Sequence, residues 1–118
     1  MLLLDEYPPI GKIYAVLHQL KVPPTSKGFY YTAYAVWLCV RQPERLLLVT
    51  KWLYPDVATH YDTHWHNVER NIRTVISTIW CNNPALLEEL AREPLHEKPR
   101  PAQFLAILSG GIFPDSAA

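Results

Sequence analysis

Apolar residues recur along this chain at intervals of three and four, and no segment sustains an alternation of apolar and polar positions. That spacing predicts helices rather than strands. In "IGKIYAVLHQL", Ile10, Ile13, Val16, Leu17 and Leu20 share one face, and Val22-Pro23-Pro24 predicts the end of that helix. "KGFYYTAYAVWLCV" is apolar on nearly every side, which predicts a central buried helix. Thr25 or Ser26 is placed to cap it, and Gln42-Pro43 to break it. "ERLLLVTKWL" predicts a third helix with Leu46, Val49 and Leu53 facing inward. Tyr54-Pro55 opens a short helix, "PDVATHY", with Pro55 in its first turn and Asp56 at its positive end. The clearest stripe is Trp65, Val68, Ile72, Val75, Ile76 and Ile79. "ALLEELARE" follows as a helix and "PLHEKPRP" as a loop. "AQFLAILS" is a last helix that Gly110-Gly111 is expected to stop, and the tail "FPDSAA" is expected to be loose. The expected fold is all-α, a compact bundle of about six helices.

Composition narrows this picture. At 118 residues, nearly half of them apolar, the chain suits one domain with its own core. Its eleven prolines gather at segment edges, and its four glycines leave little room for a fold rich in tight turns. Cys39 and Cys81 stand far apart outside any C-x-x-C pattern, which points to two buried, reduced thiols in a cytoplasmic protein. No run approaches membrane-spanning length, and "MLLLDEYPP" lacks the basic flank of a signal peptide. Net charge is zero, which excludes a whole-protein basic field. Residues 1–83 hold eight Lys/Arg against six Asp/Glu, and residues 84–118 hold three against five, so any anionic partner is favoured on the N-terminal side.

Residues 54–80 carry the functional signal. A short helix, a turn of about four residues and a longer amphipathic helix give the outline of a helix-turn-helix. Ala58 is small where the two helices approach, Asp62 tolerates a left-handed turn conformation, and Thr63 is a candidate N-cap. Wound at about 100° per residue, the second helix sets His66, Asn67, Arg70, Arg73, Thr74 and Ser77 opposite the apolar stripe, with Glu69 at its border. Arginine can bond guanine O6 and N7 together, and glutamate can accept from cytosine N4. Thr63 and the first-turn N–H groups suit a phosphate. Lys27 and Lys51, near segment ends, are further candidate phosphate contacts. The competing explanation is that water simply solvates a polar face.

The run "TKWLYPDVATHYDTHWHNVERNIRTVISTIW" resembles the C-terminal DNA-binding effector domain of the response-regulator transcription factor that starts endospore formation, the stage zero sporulation protein A family. "LHQLKVPPTSKGFYY" and "KPRPAQFLA" extend the likeness over roughly residues 11–109. The resemblance implies six main helices, major-groove binding of double-stranded DNA, homodimers on tandem promoter boxes and RNA polymerase contacts after the recognition helix. Carried over by position, its base-reading residues are Glu69, Arg70 and Arg73. The chain departs from the family where His66 and Asn67 replace a Ser-Arg pair, where Thr74 replaces a histidine, and where Asn71 replaces a small alanine. A single domain over residues 1–118 is expected, with no receiver domain ahead of it.

Other constellations add little. His60, His64 and His66 are close in sequence, but the predicted turn separates them and no metal is expected. Tyr30, Tyr31, Tyr34 and Trp37 are spaced for a buried helix rather than a stacking surface. Glu88, Glu89 and Arg92 are a candidate contact for a protein partner. No nucleophile elbow, P-loop or H-E-x-x-H is present, so no enzyme and no cofactor is expected. The expected function is sequence-specific DNA binding by Arg70 and Arg73, tuned by Glu69, His66, Asn67 and Thr74. The alternative is a receiverless interaction or dimerisation module that pairs with a full-length response regulator or with polymerase.

Overall fold

Prolines and cap residues divide the chain into its elements. The computed structural model describes residues 9–114, and among them every regular element is helical. The helices are α1 (Ile10–Gln19), α2 (Lys27–Arg41), α3 (Tyr54–His60), α4 (Trp65–Asn82), α5 (Pro84–Ala91) and α6 (Pro101–Ile112). A 3-10 turn at Pro43–Leu47 and a π-helical turn at Val49–Leu53 join α2 to α3. Pro43, Pro55, Pro84 and Pro101 each sit in the first turn of an element, where the missing N–H has no intrahelical partner to lose. The expected all-α bundle of about six helices is what the chain forms.

Local bonds explain the boundaries. Beyond α1, Lys21 takes the left-handed conformation (φ 68°), its N–H donates to the His18 carbonyl and that of Val22 donates to the Leu17 carbonyl. This paired closure satisfies carbonyls that the helix end would leave bare. Ser26 is the cap of α2: its Oγ accepts from the Phe29 N–H at 3.3 Å and donates to the Pro23 carbonyl at 2.7 Å.

Helix α2 runs through the centre, with ten of its fifteen residues buried, and packs against α1, α4 and α6. At Gly28 the approach to α4 is close. A Cβ there would stand 2.7 Å from Val75 Cγ2 and 3.0 Å from the Asn71 carbonyl oxygen. The core continues through Ile13, Leu17, Leu53, Val57, Ile72, Ile79, Leu87 and Phe104, all 0 % exposed. Burying such side chains yields roughly 1.5–3 kcal/mol each. A seven-residue helix such as α3 cannot hold itself together in water, so its place depends on burying Tyr54, Val57 and Ala58.

Several expectations need correction. The third helix predicted over residues 44–53 is instead the 3-10 and π-helical pair, hinged at Leu48 (φ −137°, ψ 55°). Of its apolar residues only Leu53 is buried; Leu46 and Val49 are half-buried, and Leu47 and Leu48 are 83 % and 49 % exposed. The inward residue is Arg45, 8 % exposed. Its Nε donates to Gln42 Oε1 at 3.0 Å, its Nη1 pairs with Asp56, and its guanidinium lies 4.7 Å from the centre of the Trp52 ring. Satisfying that buried cation sets the course of the segment, and a regular α-helix gives way to it.

Gly110 and Gly111 do not stop α6, which continues to Ile112. Gly111 lets α6 lie against α5: a Cβ there would meet the Leu90 carbonyl oxygen at 2.8 Å. Phe113, expected in a loose tail, is 8 % exposed. Pro114 is exposed, and residues 115–118 of that tail and the segment 1–8 lie outside the described residues. Cys39 is buried as expected, but Cys81 is exposed. Of the four aromatics assigned to the core of α2, Tyr31 is buried, Tyr34 and Trp37 are half-buried, and Tyr30 is 40 % exposed.

Candidate nucleic-acid interface

The corner between α3 and α4 is built from backbone bonds. Asp62 is left-handed (φ 54°), as its type allows. Its N–H donates to the Thr59 carbonyl at 3.3 Å, and the Thr63 N–H donates to the Ala58 carbonyl at 2.9 Å. This is the same paired closure that ends α1, now applied to α3. Ala58 is 5 % exposed, which leaves the backbone of the turn close to α3. The closure uses Thr63 as the last residue of the α3 motif. The N-cap of α4 is therefore His64, extended at φ −97° and ψ 148°, and not Thr63. The Thr63 hydroxyl instead accepts from Asn67 Nδ2 at 3.0 Å.

Helix α4 presents two faces. Val68, Ile72, Val75, Ile76 and Ile79 are buried against the bundle, with Trp65 half-buried at one end. On the far side His66, Arg70, Arg73 and Thr74 are exposed, while Asn67, Glu69 and Ser77 are half-buried at the margins. Arg70 Nη2 donates to Asn67 Oδ1 at 2.7 Å. Arg73 Nη2 lies 3.4 Å from Glu69 Oε2, and the Arg73 side chain keeps 60 % of its surface exposed. Neither guanidinium is held inward, and a pair so exposed contributes little to stability. Thr74 returns its hydroxyl to the Arg70 carbonyl at 3.0 Å. The His66 ring stacks on Trp65, with centroids 3.8 Å apart.

Beneath this face lies the Tyr54 hydroxyl, buried and without a hydrogen-bond partner among the described residues. Burial, then the Glu69 carboxylate, pushes its phenol up to about 12, against a smaller opposing pull from Arg73. It stays protonated at any physiological pH.

The phosphate candidates are dispersed. Lys27 and Thr63 meet at a cleft of ≈ 310 Å³ between the first turn of α2 and the α3–α4 corner, also lined by Tyr30, Tyr31, Tyr61 and Asp62. Burial, followed by the surrounding tyrosines, pushes Tyr61 up to about 12, so it too remains a donor. Its hydroxyl donates to the Tyr30 carbonyl at 3.4 Å. Lys51 is exposed on the π-helical turn, which packs chiefly on α3.

One cation escaped the sequence reading. Lys98, in the loop before α6, donates to Ser77 Oγ at 3.0 Å and so joins the margin of the α4 face. Twenty-one residues separate the two, and no local pattern signals the contact. The acidic group after α4 is partly committed to structure. Glu88 Oε2 accepts from the Leu95 N–H at 2.8 Å, which fixes the loop, while Glu89 and Arg92 are exposed. His60 stacks on Tyr34 with centroids 4.0 Å apart. Among the described residues no group of three or more His, Cys, Asp or Glu side chains converges, and no helix is long and apolar enough to cross a membrane.

Comparison with known families supplies a further finding. The family described as "Sporulation initiation factor Spo0A C terminal" matches residues 13–112, from the first core residue of α1 to the last residue of α6. That domain is the DNA-binding part of a transcription regulator. With six helices in place, an α3–turn–α4 corner intact and a match across all but the ends of the sequence, the chain belongs to the Spo0A C-terminal family.

Proposed function

We propose that the chain is a sequence-specific regulator that sets α4 in the major groove of double-stranded DNA. Arg70 and Arg73 bond base edges there, Glu69 accepts from a cytosine amino group, and His66, Asn67 and Thr74 tune the choice. Lys27 and Thr63 take backbone phosphates at the corner, and Lys51 and Lys98 take others on either side. One observation carries this reading. The two arginines project from the solvent side of a helix whose opposite side buries Val68, Ile72, Val75, Ile76 and Ile79 in the core. Their present partners, Asn67 and Glu69, lie on the same helix and engage one nitrogen of each guanidinium, which leaves further N–H groups for bases.

Arg70→Ala is expected to weaken binding to the preferred duplex by about 1–3 kcal/mol and to relax discrimination at one base pair. Titration of parent and variant by fluorescence anisotropy measures this. Equal affinity of the two for the same duplex would remove Arg70 from base reading.

A second reading rests on Leu47 and Leu48, which stand out as exposed apolar neighbours at the hinge between the 3-10 and π-helical turns. They favour a role in protein contact, with RNA polymerase, with a full-length response regulator, or with a second copy on tandem sites. Chains of that kind would retain partner capture when Arg70 and Arg73 are both replaced by alanine. They would lose it when Leu47 and Leu48 are replaced by serine.

A further inference from the structure

Asn67 lies on the candidate DNA face, yet both ends of its side-chain amide are occupied. Its Nδ2 donates to Thr63 Oγ1 at 3.0 Å, and its Oδ1 accepts from Arg70 Nη2 at 2.7 Å. Thr63 is in turn anchored by its own N–H to the Ala58 carbonyl at 2.9 Å. The chain of bonds runs from the backbone of α3, across the corner, to the guanidinium of Arg70. The Asn67 backbone carbonyl accepts from Asn71 Nδ2 at 2.7 Å. An amide that keeps both bonds retains one N–H and one oxygen lone pair, and its orientation is set by Thr63 on one side and Arg70 on the other.

We infer that Asn67 is a positioning residue, which aims Arg70 with the α3–α4 corner as its fixed point. The inference rests on α4 being the base-reading helix. A free arginine loses substantial rotamer freedom when it binds. One already held in place by Asn67 has lost part of that freedom beforehand, and its bound form is favoured accordingly.

The test is a double-mutant cycle on the intact chain, using the duplex that the parent enriches from a random pool. Asn67→Ala is expected to weaken binding about tenfold in the parent and less than about twofold in Arg70→Ala, because its effect passes through Arg70. It is also expected to relax preference at the same base pair as Arg70→Ala. Asn67→Ser repeats the measurement should alanine lower the helix content, which circular dichroism reports. Additive losses, relaxation at a different base pair, or lowered thermal stability with base preference intact would each overturn the inference while leaving the DNA reading in place. Failure of the parent to enrich any duplex would overturn both.

Discussion

Arg45 is the residue whose surroundings depart furthest from what its type suggests. Its guanidinium is buried among Gln42, Asp56 and Trp52, and the apolar side chains beside it, Leu47 and Leu48, face water. Removing Asp56 strands that charge, whereas the Asp56 side chain itself is 45 % exposed and readily rehydrated. Asp56→Ala is therefore expected to cost about 1–3 kcal/mol, below the figure for a fully buried pair. Urea unfolding reads this as a fall in midpoint at unchanged slope. The cysteines give a second prediction. Burial, opposed only weakly by Arg45, pushes the Cys39 thiol up to about 12, while Cys81 is exposed. Since the thiolate is the reactive form, the native protein should release one equivalent of chromophore from an aromatic disulfide reagent at pH 8, and two in denaturant. Two fast equivalents from the folded chain would contradict the burial of Cys39.

Element by element, strong periodicity made helices legible and local competition made their ends less so. The α4 stripe stood out because six apolar residues recur at helical spacing; five of them are buried, and Trp65, at its start, is half-buried. The segment over residues 44–53 has an equally helical pattern, yet the need to satisfy one buried guanidinium outweighs it, and nothing in the local spacing announces that. Thr63 is the standard kind of N-cap, but it ends the turn that closes α3, and the bonds of α4 begin one residue later at the His64 carbonyl. Gly110-Gly111 resembled a stop signal, because a glycine demanded by a neighbouring helix looks no different in sequence from one demanded by a turn. Gly28 tests that logic directly. Gly28→Ala forces a methyl group against Val75 and the Asn71 carbonyl and is expected to destabilise by about 1–3 kcal/mol. Gly11, also helical, has nothing among the described residues within 4 Å of where a Cβ would be, and Gly11→Ala is expected to stabilise by about 0.5–1 kcal/mol. Thermal melts of the two variants should move in opposite directions. A Gly28→Ala variant that melts no lower than the parent would show that α2 and α4 are not in such close contact.

For the whole molecule, neutrality is the constraint. With no net charge, long-range attraction to DNA is weak, and affinity must come from a few placed cations rather than from a field. The candidate site is legible in sequence where its residues share α4. It is not legible where the fold brings in Lys98, or where a side chain such as Asn67 is turned to a neighbour. The central claim is that the exposed side of α4 reads base sequence. The most direct measurement is selection by the parent chain from a random duplex pool, followed by the same selection with Arg70→Ala. One enriched motif is expected for the parent, with loss of preference at a defined base pair in the variant. An unenriched pool, or the same motif from both proteins, would contradict the claim.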